Sequence, residues 1–368
     1  MSAPVLDGTA GDLLAVGERA AGTRSFLLVS KVLGKHIPVP AAVCRAAGAA
    51  LAYAVAGEPR ALDPALLREG PVDGWQDSTV IGFAETATGL AHQVAEALDC
   101  AWLQNTSRHP DCAGQISFDE SHSHARNQWL RTLPDDLPDG PLVIVDDELS
   151  TGATAAKLIA LLHRRAPRPR YVLACLVDAR RGPGPLEALS AELEVPIEVV
   201  SLARLGAVEL PPAGWAEGAL PQPTAGGSAT VRDITAEWPC APERHGLDRS
   251  GRAAFREFAA TLGVEGALVL GCGEHLALPQ LAALASGPDT LVSSTTRSPA
   301  KVWDAPGYPL RHGLAFPHPE DPSIPGFAYN VGSRPHVVVH FAEPAHRRAA
   351  DGLLRALDAE TITAVTLR

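Results

Sequence analysis

Lysine is scarce in this chain, contributing four of the 31 basic residues, at positions 31, 35, 157 and 301. With Ala, Gly and Pro abundant, that bias reads as a GC-rich coding genome rather than as chemistry. Positive charge is short overall, and the formal net charge of −11 argues against a nucleic-acid binder, whose affinity depends on neutralising phosphates. A small phosphorylated ligand met by a local site is not excluded. No apolar run reaches ~18 residues, so no membrane span is expected. A basic region followed by an apolar core is missing from the amino terminus, so a cytoplasmic location is expected. The six cysteines, at 44, 100, 112, 175, 240 and 272, lack paired spacing. Reduced thiols fit that scatter.

What remains is ordinary for a globular protein: 368 residues, 46% apolar and 20% charged, enough for two domains with good cores. One stretch stands out. Leu142-Val-Ile-Val145 reads as a strand buried on both faces, and two adjacent carboxylates, Asp146 and Asp147, follow at its end before Glu148 and Leu149. Ser150-Thr151-Gly152-Ala153-Thr154 follows as a loop of small residues, then a helix over 155–162. Loop N–H groups and the positive end of a helix dipole make an anion site. Carboxylates repel phosphate, so their partners are neutral hydroxyls or a metal-bound sugar beside it. Together the two describe a ribose 5-phosphate site.

This stretch resembles the PRPP-binding signature of type I phosphoribosyltransferases, with one departure, Glu148, where that signature carries an apolar residue. The resemblance implies Mg²⁺-assisted transfer of the 5-phosphoribosyl group from PRPP to an acceptor, releasing pyrophosphate. Asp146 and Asp147 would hold the ribose directly or through the metal. Ser150, Thr151, Gly152, Ala153 and Thr154 would take the 5-phosphate. A second strand–loop–helix unit lies upstream, Thr79-Val-Ile-Gly82-Phe-Ala-Glu85-Thr86-Ala87-Thr88-Gly89 and a helix over 90–98. Its loop sits where the family holds pyrophosphate, and Arg108, at the end of strand 101–104, resembles the family's pyrophosphate-binding cation; a generic strand–helix turn is the alternative reading of this loop. Residues 111–128 form a polar connection, in the place of the family's flexible lid. His122, His124 and Arg126 could meet the leaving pyrophosphate there. Zinc on His122 and His124 with Cys112 and His109, or a plain solvated loop, are the alternatives.

Lys31, Lys35 and His36 form a basic turn after the strand 24–30, read either as the place of an anionic acceptor or as an exposed turn. Strands at 170–178 and 197–202 complete an α/β pattern. The expected fold is a Rossmann-like, mainly parallel sheet with its site at the strand C-termini, plus a second, smaller α/β domain. The expected boundaries are 1–210, a linker at 211–250 rich in Pro and Gly, and 251–368.

The second half echoes the first. At an offset of 189, Val80, Gly82, Glu85, Thr106, Arg108 and Pro110 meet Val269, Gly271, Glu274, Thr295, Arg297 and Pro299. Six identities in 31 positions are close to noise as a score, but they fall on the strand end, the loop and the Thr-x-Arg-x-Pro turn. The strand 335–341 aligns with 141–147 at offset 194, with His340 and Phe341 in place of the acid pair. A degenerate second copy of the same unit is therefore expected, with Glu274, Arg297 and Arg311 its candidate site residues and one PRPP site per chain.

Thr296-Arg297-Ser298-Pro299, Ser30-Lys-Val-Leu-Gly-Lys-His-Ile-Pro and Tyr308-Pro-Leu-Arg311-His-Gly-Leu-Ala-Phe-Pro extend the likeness over nearly the whole chain. They resemble the phosphoribosyltransferases of bacterial tellurium-resistance-type stress operons, which carry a C-terminal TRSP domain. That resemblance implies nucleotide chemistry leading to a nucleoside-like metabolite, with PRPP and an unidentified small molecule as partners. A homodimer is expected. A PRPP-binding regulator or scaffold without turnover is the rival from another class, and a PRPP hydrolase the rival enzyme.

Overall fold

The computed structural model describes residues 8–20, 25–109, 115–119, 127–205, 214–223, 227–238 and 242–368. Two compact units divide the chain, and neither is continuous in sequence. One comprises residues 45–208 and 242–254; the other comprises 1–44, 209–241 and 255–368. The sequence expectation of 1–210, linker and 251–368 therefore differs from the spatial division.

The first unit is built on a six-stranded sheet. Its order is Ile197–Arg204, Tyr171–Asp178, Leu142–Leu149, Thr79–Gly82, Trp102–Asn105 and Leu247–Asp248. Every pairing is parallel except the last, where Leu247 and Asp248 run antiparallel to Leu103 and Trp102. The apolar run from Leu142 to Val145 is at most 1% exposed, as its β-branched content requires of a strand covered on both faces. Each such side chain contributes about 1.5–3 kcal/mol by burial. Two helices meet closely on this sheet. A Cβ at Gly48, in the alanine-rich helix Ala41–Val55, would lie 2.2 Å from Gln93 Cβ in the helix Thr88–Leu98. Those small side chains are what close packing needs.

The second unit repeats this plan. Its sheet order is Thr230–Ala236, Ala359–Leu367, Arg334–Phe341, Leu268–Gly271, Leu291–Ser294 and Val39–Pro40. Again all pairings are parallel except the last, with Val39 and Pro40 against Val292 and Leu291. The core strand Val337-Val338-Val339 is at most 1% exposed. Hairpins occupy matching places, Gln115–Asp119 with Asn127–Arg131 in the first unit and Gly313–His318 with Asp321–Tyr329 in the second.

The correspondence reaches single hydrogen bonds. In the first unit Thr106 N–H donates to Gly82 C=O at 2.9 Å, and Ser107 and Trp129 exchange both main-chain bonds at 2.8 and 2.9 Å. In the second, Thr295 N–H donates to Gly271 C=O at 2.9 Å, and Thr296 and Phe327 exchange theirs at 2.8 Å each. Gly82, Thr106 and Ser107 precede Gly271, Thr295 and Thr296 by the same 189 residues. The repeat expected from six scattered identities is a repeat of strand order and bonding.

Each sheet takes its antiparallel edge from the far half of the sequence. Residues 211–250, expected to be linker, supply the strand Thr230–Ala236 to the second unit and Leu247–Asp248 to the first. Arg252, 1% exposed, fixes the latter segment by donating to Cys100 C=O at 2.6 Å. Reciprocally, Leu14–Glu18, Phe26–Ser30 and Val39–Pro40 belong to the second unit. Beyond the core strand Arg334–Phe341 come two short helices, Pro344–Ala349 and Asp351–Ala356, parted at Ala350.

Candidate functional site

The strand Leu142–Leu149 runs through the carboxylates rather than stopping before them. Asp146 pairs with Cys175 and Glu148 with Val177, so ladder bonds hold the acid pair in place. Both aspartates are half-buried, and Asp147 N–H donates to Asp146 Oδ1 at 2.9 Å. Burial, then the charges of Asp146 and Asp178, push the Cys175 thiol well above its usual range. That thiol is an inert neighbour.

Ser150 and Thr151 then lie exposed, and Gly152 turns the chain at φ +80° into the helix Ala153–His163. Glycine is required there twice over, because a Cβ would also lie 2.7 Å from Leu186 Cδ1. Ala153 N–H donates to Thr151 Oγ1 at 3.3 Å. The arrangement is a hydroxyl-rich turn opening on a helix N-terminus, as a phosphate requires.

Supporting this turn is a group of residues without a sequence signal. Asp178, at the end of the adjacent strand, accepts two bonds from the Arg180 guanidinium at 2.9 and 3.0 Å and one from the Arg180 main-chain N–H at 3.0 Å. Arg180 also reaches Glu187 at 2.7 Å, and Glu187 accepts from Gly184 N–H at 2.7 Å. Burial opposes ionisation of Asp178, but the Arg180 guanidinium and its main-chain N–H outweigh it and hold the carboxyl below the usual range. The helix Pro185–Leu193 that Glu187 caps carries Leu186, the side chain against Gly152. Only spatial pairing links these residues, so a linear reading had no way to find them.

The upstream loop is fixed equally firmly. Gly82 ends its strand with Asn105 Oδ1 2.1 Å from where a Cβ would stand. Ala84 N–H donates to Thr106 Oγ1 at 2.8 Å, Thr106 Oγ1 donates to Gln128, and Gln128 Nε2 donates to Ala84 C=O at 3.4 Å. Glu85 and Thr86 are half-buried; Ala87, Thr88 and Gly89 are buried at the start of the helix Thr88–Leu98. Arg108 stands half-buried just past the strand Trp102–Asn105. Since Thr79–Gly82 is the strand paired to Leu142–Leu149, the two loops open side by side from the same edge of the sheet.

Lys31, Lys35 and His36 belong to the second unit. Lys31 Nζ donates to Gly11 C=O at 2.6 Å. Lys35, 1% exposed, donates to the carbonyls of Gly273 and Thr295 at 2.7 and 2.8 Å and to Ser294 Oγ at 3.4 Å. A lysine so committed is part of that unit's core. His122, His124, Arg126 and Cys112 lie outside the described residues. Of the candidates in the second unit, Glu274 is 4% exposed, Arg297 meets Glu320, and Arg311 is exposed and paired with Asp304.

Asp146 and Asp147 suit Mg²⁺, a hard cation that takes one or two carboxylates and otherwise keeps waters and substrate oxygens. Among the described residues no group of three or more His, Cys, Asp or Glu could hold a metal alone. No described helix is long and apolar enough to cross a membrane.

Among solved structures, the chain is similar to orotate phosphoribosyltransferase from Aeropyrum pernix, with 26% identity over 50% of this chain and 80% of that one, at a TM-score of 0.29. Adenine phosphoribosyltransferase from Rhodothermus marinus is 17% identical over 53% and 96%, at 0.31. The Giardia lamblia enzyme complexed with 9-deazaadenine is 15% identical over 53% and 95%, at 0.34. No curated protein matches. The family models decide. One described as phosphoribosyl transferase matches residues 13–205, more than half of the chain and the whole of the paired-loop site, and one described as the TRSP domain C-terminal to it matches residues 241–357. With the acid pair, the turn at Gly152 and the Gly82–Gly89 loop all inside the first of these spans, the chain belongs to the phosphoribosyl transferase family whose members carry a C-terminal TRSP domain.

Proposed function

We propose that the first unit transfers the 5-phosphoribosyl group of PRPP to a small-molecule acceptor and releases pyrophosphate, with Mg²⁺. The observation that carries this reading is the acid pair fixed at a strand end and followed at once by the hydroxyl turn at Gly152. Asp146 and Asp147 would hold the ribose hydroxyls, directly or through the metal. Main-chain N–H groups of 150–154 and the hydroxyls of Ser150, Thr151 and Thr154 would hold the 5-phosphate. The loop of Glu85, Thr86, Ala87, Thr88 and Gly89, with Arg108, would take the pyrophosphate.

In the reaction the bond from C1 to a pyrophosphate oxygen breaks and its electron pair leaves with pyrophosphate. The bond from C1 to the acceptor forms. Bound Mg²⁺ would neutralise charge on the phosphate oxygens. The protein's share is to hold both phosphate ends so that C1 stays exposed to attack, and to set fixed donors where charge grows. Charge stabilisation of that kind is worth about 3–4 kcal/mol per donor. A nucleoside-like product in a stress response fits the TRSP arrangement.

Incubation with labelled PRPP, Mg²⁺ and a metabolite extract tests the reading. Pyrophosphate release together with a new labelled ribosyl product, both lost in Asp147→Asn, is the expected result. Full activity of folded Asp147→Asn would defeat the assignment.

A further inference from the structure

We infer that the second unit retains a pyrophosphate-type oxyanion site and that its own Glu320 carboxylate occupies it. The inference rests on reading the 85–89 loop of the first unit as the pyrophosphate cradle.

The two loops are built alike. Ala84 N–H donates to Thr106 Oγ1 at 2.8 Å in the first unit, and Gly273 N–H donates to Thr295 Oγ1 at 3.0 Å in the second. Ala84 and Gly273, Thr106 and Thr295, and Arg108 and Arg297 are all 189 residues apart. The helices that follow begin at Thr88 and Ala277, again 189 apart.

What fills the second loop is a carboxylate. A Cβ at Gly273, whose φ is +58°, would lie 2.4 and 2.6 Å from the two oxygens of Glu320. The carboxylate therefore rests directly on the loop backbone, and only glycine allows it. Arg297 donates to Glu320 Oε2 at 2.9 Å, with the two side chains 18% and 1% exposed. Lys35 places its ammonium on Gly273 C=O from within the same unit. One guanidinium and a cleared backbone thus meet one internal anion, and this is the role of the arginine in Thr296-Arg297-Ser298-Pro299.

The carrier of that anion is informative. Glu320 sits in the turn between Gly313–His318 and Asp321–Tyr329, the hairpin whose main-chain link to the sheet, Thr296 to Phe327, matches Ser107 to Trp129. In the second copy this hairpin ends in a short turn with its carboxylate in the loop. Among the described residues, nothing else of a ribosyl phosphate site is found there. His340 and Phe341, where the acid pair would be, are 0% exposed. Only Ala342 and Glu343 separate Phe341 from Pro344 at the helix start, so no hydroxyl turn exists for a 5-phosphate. The second copy keeps one end of a PRPP site and fills that end itself.

Inorganic pyrophosphate titrated calorimetrically into the full chain tests this. Glu320→Ala is expected to bind one more pyrophosphate per chain than wild type. Glu320→Gln, which keeps the side-chain volume if alanine does not fold, should gain the same site with lower affinity. Adding Arg297→Ala to either should remove the gained site and leave the wild-type number. An unchanged number in folded Glu320→Ala and Glu320→Gln, or a gained site that survives loss of Arg297, would overturn the inference. The increment is read against wild type, so it stands apart from the first unit's own site: a wild-type chain that binds no pyrophosphate would count against that cradle alone.

Discussion

Gly152→Ala is the sharpest perturbation of the turn proposed to hold the 5-phosphate. Position 152 holds φ +80°, which costs an L-residue about 1–2 kcal/mol. The added methyl would also stand 2.7 and 2.8 Å from Leu186 Cδ1 and Cγ. Leu186 is 1% exposed, so it cannot swing into solvent, and forced overpacking of this kind costs about 1–3 kcal/mol. The sum is about 3 kcal/mol, inside the ~5–15 kcal/mol a domain has in reserve. Gly57 is the control: its φ is +81°, it is exposed, and a Cβ there would meet nothing within 4 Å. Gly57→Ala should therefore lose only the backbone part. In urea unfolding, Gly152→Ala should lose about 1–3 kcal/mol more than Gly57→Ala. Because relief of the clash moves the turn, PRPP affinity should fall at least about tenfold, the equivalent of 1.4 kcal/mol, while Gly57→Ala keeps it. Equal stability losses, or an unchanged PRPP affinity in Gly152→Ala, would refute this picture of the turn.

Three further outcomes are expected. Thr106→Val removes the oxygen that accepts Ala84 N–H; leaving a buried donor unmet costs about 1–3 kcal/mol, and pyrophosphate inhibition constants should rise while the 5-phosphate contacts persist. Asp178 has a depressed pKa, so its pairing stabilises the native state above the ordinary aspartate value of about 3.9 and is lost as pH falls through the depressed one. The difference in urea stability between wild type and Asp178→Asn should accordingly be constant at neutral pH, about 3 kcal/mol for a broken buried pair, and shrink below pH ~4; a difference that grows in acid would reverse the sign of the argument. Lys35→Met should destabilise the protein by leaving the Gly273 and Thr295 carbonyls unmet, yet leave the KM for an identified acceptor unchanged, whereas an acceptor-binding lysine would raise it.

Much of the fold was written in local pattern. The β-branched run before Asp146, the small-residue turn after it and the helix beyond can each be read within a window of a few residues, and all three stand where expected. So do the upstream loop and the parallel α/β alternation. The segments that went astray are those whose place depends on distant partners. Val39–Pro40 is two residues long and is a strand only because Leu291 and Val292 face it. Thr230–Ala236 lies between Pro- and Gly-rich stretches that read as linker, and its pairing with Ala359–Leu367 is more than a hundred residues away in sequence. Lys35 could be read as a ligand-binding cation or as part of an exposed turn, because charge is legible in sequence and burial, here to 1% exposure, is not. The Asp178–Arg180–Glu187 group behind the Gly152 turn was equally hidden, since nothing in its order announces that three ordinary charges meet. The repeat was the reverse case: faint in residue identity, plain in strand order.

One ribosyl phosphate site per chain, held by Asp146 and Asp147 ahead of the Gly152 turn, is the proposal on which the rest depends. Calorimetric titration of PRPP with Mg²⁺ into the full chain tests it most directly. It should show one site per chain, abolished in the double variant Asp146→Asn, Asp147→Asn while the fold persists; two sites in wild type, or unchanged PRPP binding in the folded double variant, would contradict it.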